Sequence, residues 1–341
     1  MKQISILSAL FGISLFASAT VITVNNNTNS PGQYTNLQTA INAAAIGDTI
    51  YVHGSAATYG SVVIKKRITL IGTGSKPNKV NKLVSQINNI QLDTVNNVSG
   101  GSGTRIIGFT LNSVIGYGAT GGTKNILIAR NYFISGGTKV VITGLGWKME
   151  NNIIESGVVN LNNNSNTVVQ NNIFSSSNLL SSNQATVVIS NNIFLAYPPF
   201  TAIYLVSNAL IANNIFMGSS PKETGVANNT FSNNITYQTA YDTIPFGTNI
   251  GSGNLVAKDP KFKNVAANNF SYAYDFALDT ISPGLNAGTD GKDIGVYGGA
   301  KPFVDLTGAP AIPQIKSLSI LNPIIPAGDS LRIVIKANKQ N

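Results

Sequence analysis

The sequence predicts an all-β fold: a parallel β-helix, in which one strand-rich ribbon winds into stacked coils behind a short helical cap. Three observations predict it. First, a motif of two asparagines followed by two apolar residues recurs. It stands as MENNII at 149–154, VQNNIF at 169–174, ISNNIF at 189–194 and IANNIF at 211–216, with looser copies IARNYF at 128–133 and FSNNIT at 231–236. Second, the second asparagines of these copies, Asn131, Asn152, Asn172, Asn192, Asn214 and Asn234, fall at intervals of 21, 20, 20, 22 and 20 residues. A fixed period of this size marks a stacked repeat. Third, the stretches between copies, such as SNTVVQ and QATVVIS, are short, β-branched and edged with Ser and Gly, and leave no room for a useful helix.

The elements follow in order. Residues 1–19 read as a secretory leader: Lys2, the apolar run ISILSALFGISLF, then the small-residue site Ala17-Ser18-Ala19, with cleavage before Thr20. The segment YTNLQTAINAAAIGD places Leu37, Ala40, Ile41 and Ala44 at helical spacing, with Thr35 and Gln38 as a capping box. Such a helix covers the open strand edges that begin a coil stack. TIYVH, SVVI and ITLIG then supply the strands of a first coil.

In the repeats, Ile128, Met149, Val169, Ile189, Ile211 and Phe231 precede the second asparagine by three positions, and Phe133, Ile154, Phe174, Phe194, Phe216 and Thr236 follow it by two. They read as two core columns, one layer per coil. Between the columns the chain turns sharply. Asn tolerates a left-handed backbone better than other residues with a side chain, and stacked amides can hydrogen-bond from coil to coil. The asparagines are therefore expected to form a structural ladder. The period implies about nine or ten coils across residues 20–301. The tail, 302–341, carries five prolines and one strand, LRIVIKA, and is expected to pack back on the last coils.

Composition narrows the function. Hydrophobic residues make up 43% and charged residues 10% of the chain, which excludes general disorder. No apolar run beyond the leader is long enough to span a bilayer. There is no cysteine, hence no disulfide and no thiolate metal site. The net charge of +9 is uneven: Lys65, Lys66, Arg67, Lys76, Lys79 and Lys82 cluster with no acid among them. Such a cluster serves solubility or attracts a polyanion. Nucleic acid is not the expected partner, because none of its recognition motifs is present.

These residues resemble right-handed parallel β-helix proteins of the pectin-lyase-like superfamily. GDTIYVHGSAATYGSVVIKKRITLIGTG is similar to their first coil, TRIIGFTL and the NNIF copies to middle coils, and DPKFKN…SPGLNAGTDGKDIGVYGG to a closing coil of exported bacterial members. The resemblance spans about residues 21–299 and implies a right-handed winding. It leaves activity open, because the superfamily holds lyases, hydrolases, esterases, tailspikes and proteins without known activity. Asp-Thr-Ile, at 48, 242 and 279, and Asp-Ser-Leu, at 329, resemble an O-glycosylation sequon of some bacteria.

Catalytic side chains are few. Glycoside hydrolysis needs two facing carboxylates, and between residues 94 and 222 the only acids are Glu150 and Glu155. The hydrolase motifs implied by the resemblance, Asn-Thr-Asp, Asp-Asp and Gly-His-Gly, are absent. The lone histidine, His53, reads as a strand end. Elimination across a uronate needs a base and a cation facing the substrate carboxylate. A metal-free version would draw on Arg130, Lys148 and Glu150, with Tyr132 and Trp147 beside them. Arg130 and Glu150 also read as an exposed cross-coil ion pair. The loop AYPPFTAIY either packs on the coils or offers Tyr197, Phe200 and Tyr204 to a glycan, and Trp147 either stacks on a sugar or plugs a coil. Asp290 and Asp293 read as turn residues rather than a calcium loop. The expectation is an exported monomer without cofactor that contacts polysaccharide, acidic glycans included, as a binding or scaffold protein. Alternatives are a polysaccharide lyase and a purely structural surface protein.

Overall fold

The computed structural model describes residues 19–28, 32–75, 83–93, 100–117, 122–134, 136–161, 166–180, 186–303, 306–310 and 314–338. Most of the expected leader, and Lys76, Lys79 and Lys82 of the basic cluster, lie outside them. Two sheets run along the coils between Val21 and Tyr237, one of ten strands and one of eleven. Each coil adds one short strand to the first sheet, for example Lys148–Glu150, Thr167–Gln170, Val187–Ser190 and Leu210–Ala212, all in parallel register. The architecture is the parallel β-helix expected from the sequence, with one helix among the described residues, Leu37–Ala43, over its first coils.

Both expected core columns are inside. Side chains alternate along a strand, so Met149 faces the core while Lys148 and Glu150 face out. Residues 128, 149, 169, 189, 211 and 231 are fully buried, as are 133, 154, 174, 194, 216 and 236. The rings of Phe174, Phe194 and Phe216 stack at 4.7 and 4.9 Å, one coil apart.

The cap differs in detail from the expectation. Asn36, not Thr35, caps the helix, its Oδ1 accepting from Thr39 N at 2.9 Å. Gln38 is drawn away from a capping box because it bonds both backbone groups of Val63 on the first coil. Leu37, Ala40 and Ile41 are buried beneath the helix.

The motif's four positions have four separate roles. The first residue makes the left-handed corner: Arg130, Asn151, Asn171, Asn191, Asn213 and Asn233 have φ between 52° and 58°. The second asparagine is buried and reaches the next coil. Nδ2 of Asn152 donates to Oδ1 of Asn172 at 2.9 Å, Asn172 to Asn192 at 3.0 Å, and Asn192 to Asn214 at 3.0 Å. Each Oδ1 also accepts the backbone N–H of the preceding asparagine, as Asn172 Oδ1 does from Asn152 N at 2.9 Å. The same pattern begins at Asn131 and runs one coil past the last copy, to Asn254. A second corner repeats it through Asn229 and Asn249.

The third residue points outward yet is buried. Ile153, Ile173, Ile193, Ile215 and Ile235 form a second core with Phe270, Phe276, Leu278, Ile294, Val296, Phe303 and Leu306. These partners belong to a C-terminal strap that runs back along the stack. The left-handed residues hold it: Asn233 Nδ2 donates to Ala287 O, Asn191 to Gly295 O, Asn171 to Val296 O and Gly298 O, Asn151 to Lys301 O, and Arg130 Nη1 to Ala309 O. Burying each isoleucine stabilises the fold by about 1.5–3 kcal/mol, so the strap is part of the core, not trim.

The strap corrects the expected position of the tail. Residues 306–310 lie on early coils, not the last: Ser75 N donates to Thr307 O at 2.8 Å. The antiparallel course of the strap carries the chain back toward the cap before residue 310. Beyond it, Gln314–Ile320 and Ile333–Asn338 pair antiparallel as a two-stranded hairpin, where the sequence suggested one strand.

The strap's close approach needs Gly74, whose φ is +86° and at which a Cβ would lie 2.6 Å from Thr307 O. Gly74→Ala is expected to lift this end of the strap, costing about 1–3 kcal/mol. Limited proteolysis should show faster cleavage after residue 300 while the coils stay protected; unchanged cleavage would show that the approach is not tight.

Candidate functional site

The residues that the sequence grouped for elimination chemistry are neighbours with separate commitments. Lys148 is exposed on the outer face of the first sheet. Glu150, on the same face, accepts from Gln170 Nε2 at 2.8 Å. Arg130 sits at a corner beneath the strap, tied to Ala309 O at 2.8 Å. Its backbone N donates to Glu150 O at 3.0 Å, so the two coils touch here. The described ion pairs are Lys65–Asp93 and Lys261–Asp259, and the expected cross-coil Arg130–Glu150 pair is not among them. Left-handed geometry at Arg130 aims its side chain at the strap instead.

Trp147 is a correction. It precedes outward-facing Lys148 and therefore points inward, where it is fully buried and donates Nε1–H to Thr123 O at 2.6 Å. It offers no face to a sugar. Tyr132 is half-buried, its ring 5.9 Å from Tyr272 and 6.4 Å from Phe270 of the strap, and its hydroxyl donates to Glu155. Burial, then the Glu155 carboxylate, hold that hydroxyl above the ordinary tyrosine range. Burial also pushes Tyr272 up to about 12, and its hydroxyl lies 2.9 Å from Ser75 Oγ.

Lys139, which carries no signal in the sequence, is buried and donates to the carbonyls of Ile134 and Gly136. Burial pulls its pKa down while Glu155 acts in the opposite sense. Nothing in TKVV distinguishes this lysine from a surface one. A register shift in the strand Thr138–Val141 places it inside.

The aromatic loop stands elsewhere, on three late coils. Tyr197 is 62% exposed, followed by a cis peptide between Pro198 and Pro199. Phe200 and Tyr204 are half-buried. Phe200 and Thr201 pair with Ser219 and Ser220 of the next coil, and Thr201 Oγ1 donates to Glu223 at 3.2 Å. Lys222, two residues beyond Ser220, places its ammonium 5.0 Å from the ring of Tyr241, which is 58% exposed. Asp242 accepts from Thr239 Oγ1 at 2.8 Å. Aromatic faces, a cation and two carboxylates thus share one flank. Such a surface suits hydroxyl-rich ligands, through ring stacking and oriented hydrogen bonds. The sequence signalled only the Pro-Pro loop; Lys222 and Tyr241 join it because equal positions on successive coils fall side by side.

Other candidates resolve as structure. His53 follows a strand, and its N–H donates to Val24 O at 2.9 Å. Burial lowers its pKa. Asp290 and Asp293 accept from Lys292 N and Asn286 N within turns. Lys65 pairs with Asp93 at 3.6 Å, and Lys66 Nζ donates to Asn42 O and Ala44 O at the helix end. Among the described residues, no three His, Cys, Asp or Glu side chains converge as metal ligands, and no helix is long and apolar enough to cross a membrane.

No protein-family model and no curated protein matches the chain. Among solved structures, the chain is similar to the one titled "Crystal structure of pectate lyase Pel9A", at 14% sequence identity and a TM-score of 0.41, over 85% of this chain and 96% of that one.

Proposed function

We propose that the chain is an exported parallel β-helix protein that binds extracellular or cell-surface polysaccharide, as a binding or scaffold protein. The observation that carries this reading is the flank of three coils on which Tyr197, Lys222 and Tyr241 stand exposed or half-exposed. In this reading residues 1–19 are a leader, residues 20–301 the coils, residues 302–341 a tail, and the mature protein is a monomer. The winding is right-handed, the sense that parallel crossovers prefer. The positive net charge favours an acidic glycan. The reading needs no metal and no nucleic acid.

The test is retention on insoluble polysaccharides. The double variant Tyr197→Ala, Tyr241→Ala is expected to lose about 10-fold or more in affinity, at roughly 1 kcal/mol per ring. Unchanged retention would sink the aromatic flank as the site. Incubation with soluble uronate polymers, followed by absorbance of unsaturated product, separates the lyase reading. A signal lost in Lys148→Ala would establish elimination at the outer face of the first sheet. Neither retention nor product would leave a purely structural surface protein.

A further inference from the structure

We propose that Asp48 is the seat of a new chain terminus: hydrolysis of the Ala19–Thr20 peptide leaves the α-ammonium of Thr20 paired with the Asp48 carboxylate, and this pair locks the first coil of the processed protein. The proposal rests on the export reading above, because Ala17-Ser18-Ala19 supplies the cleavage site.

The geometry is already in place. Thr20 N–H donates to Asp48 Oδ1 at 2.8 Å, and Ala45 N–H to Oδ2 at 2.8 Å. Asp48 is only 3% exposed. A buried carboxylate is costly unless it is paired, and the described residues put no cation within ion-pair distance of it. Lys66 acts on Asp48 only at longer range, its ammonium being committed to the carbonyls of Asn42 and Ala44. The carboxyl is held below the usual carboxylate range, first by the N–H of Thr20 and then by that of Ala45.

Thr20 itself is fixed. Its carbonyl accepts from Thr49 N at 2.9 Å, and the next residue opens the first strand in register with Thr49. The bond to be cut is reachable. Ala19 and Thr20 are exposed, and Ala19 borders an open hollow of about 340 Å³ flanked by Arg67 and Arg105.

The chemistry balances simply. A leader peptidase adds one water across the bond; Ala19 departs with the leader as a carboxylate, and Thr20 keeps its nitrogen as an ammonium at neutral pH. A neutral donor becomes a charged one without moving an atom, and charge-assisted hydrogen bonds are about twice as strong. Arg67 and Arg105 oppose the new cation from across the hollow, so the measured gain is the net of both.

The test compares two proteins made without the leader, one beginning at Thr20 and one carrying Gly-Ser before it. The Thr20 form is expected to melt about 2 °C or more higher. Its terminal amine should acylate about 10-fold more slowly at pH 8, because a protonated amine does not react. Asp48→Asn in the Thr20 form should remove both differences; the wild-type pair decides the matter if that variant does not fold. Equal melting and equal labelling of the pair overturn the seat. Mass spectrometry of the exported protein judges the cleavage separately, and a first residue other than Thr20 overturns the proposed occupant.

Discussion

Replacing Asn172 by Ala is expected to lower the unfolding free energy by roughly 3–5 kcal/mol, read as a fall in the guanidinium midpoint. The side chain is fully buried and fully used. Nδ2 donates to Asn192 Oδ1, Met149 O and Gln170 O, and Oδ1 accepts the backbone and side-chain N–H of Asn152. Alanine leaves these partners in the interior without water, and each orphaned group costs about 1–3 kcal/mol. The position lies mid-stack, with a coil on either side to be disrupted. Asn171→Ala, one residue earlier, tests the contrast. It strains a left-handed corner and loses two bonds to the strap, so the strap should loosen before the coils melt. A loss below about 1 kcal/mol for Asn172→Ala would mean that the amides do not hold the coils together.

Phe194→Ala is the second large effect, expected at about 3–5 kcal/mol. The ring is fully buried and stacked between those of Phe174 and Phe216. Its loss removes apolar contact on both faces and leaves a void that parallel strands, tied at fixed spacing, cannot close. Phe194→Leu should recover most of the loss. Denaturant unfolding of the three proteins checks this, and a mild effect of alanine would show that the coils collapse onto the gap. Since each coil touches its neighbours and the strap but not distant coils, the transition is best followed by two probes, in case one end opens first.

The coils were legible because one period writes the same inward residues into every layer. Ile128 through Phe231 and Phe133 through Phe216 needed only a register and the alternation of a strand. Ile153, Ile173 and Ile193 were not legible as a second core. Their apolar character is plain, but their cover lies in residues 270–306, and no local pattern links the two. The first asparagine reads in the sequence as part of a corner, yet its hold on the strap is a contact over as many as 150 residues, as between Asn151 and Lys301. Trp147 was readable in principle, since a position before outward Lys148 must face inward. Arg130 looked like a catalytic cation because its residue type says nothing of the left-handed corner that turns it to Ala309. At the late coils the Pro-Pro loop announced itself, while Lys222 and Tyr241 reach it only through the winding.

The strap also has a consequence for the order of assembly. A chain that emerges N-terminus first winds its coils first, and the outward isoleucines from Ile153 to Ile235 then form a bare greasy seam. That seam zips shut only when the last fifth of the polypeptide arrives. A premature stop near residue 258 would therefore yield a wound but sticky particle, recognisable by clumping rather than by loss of β-structure.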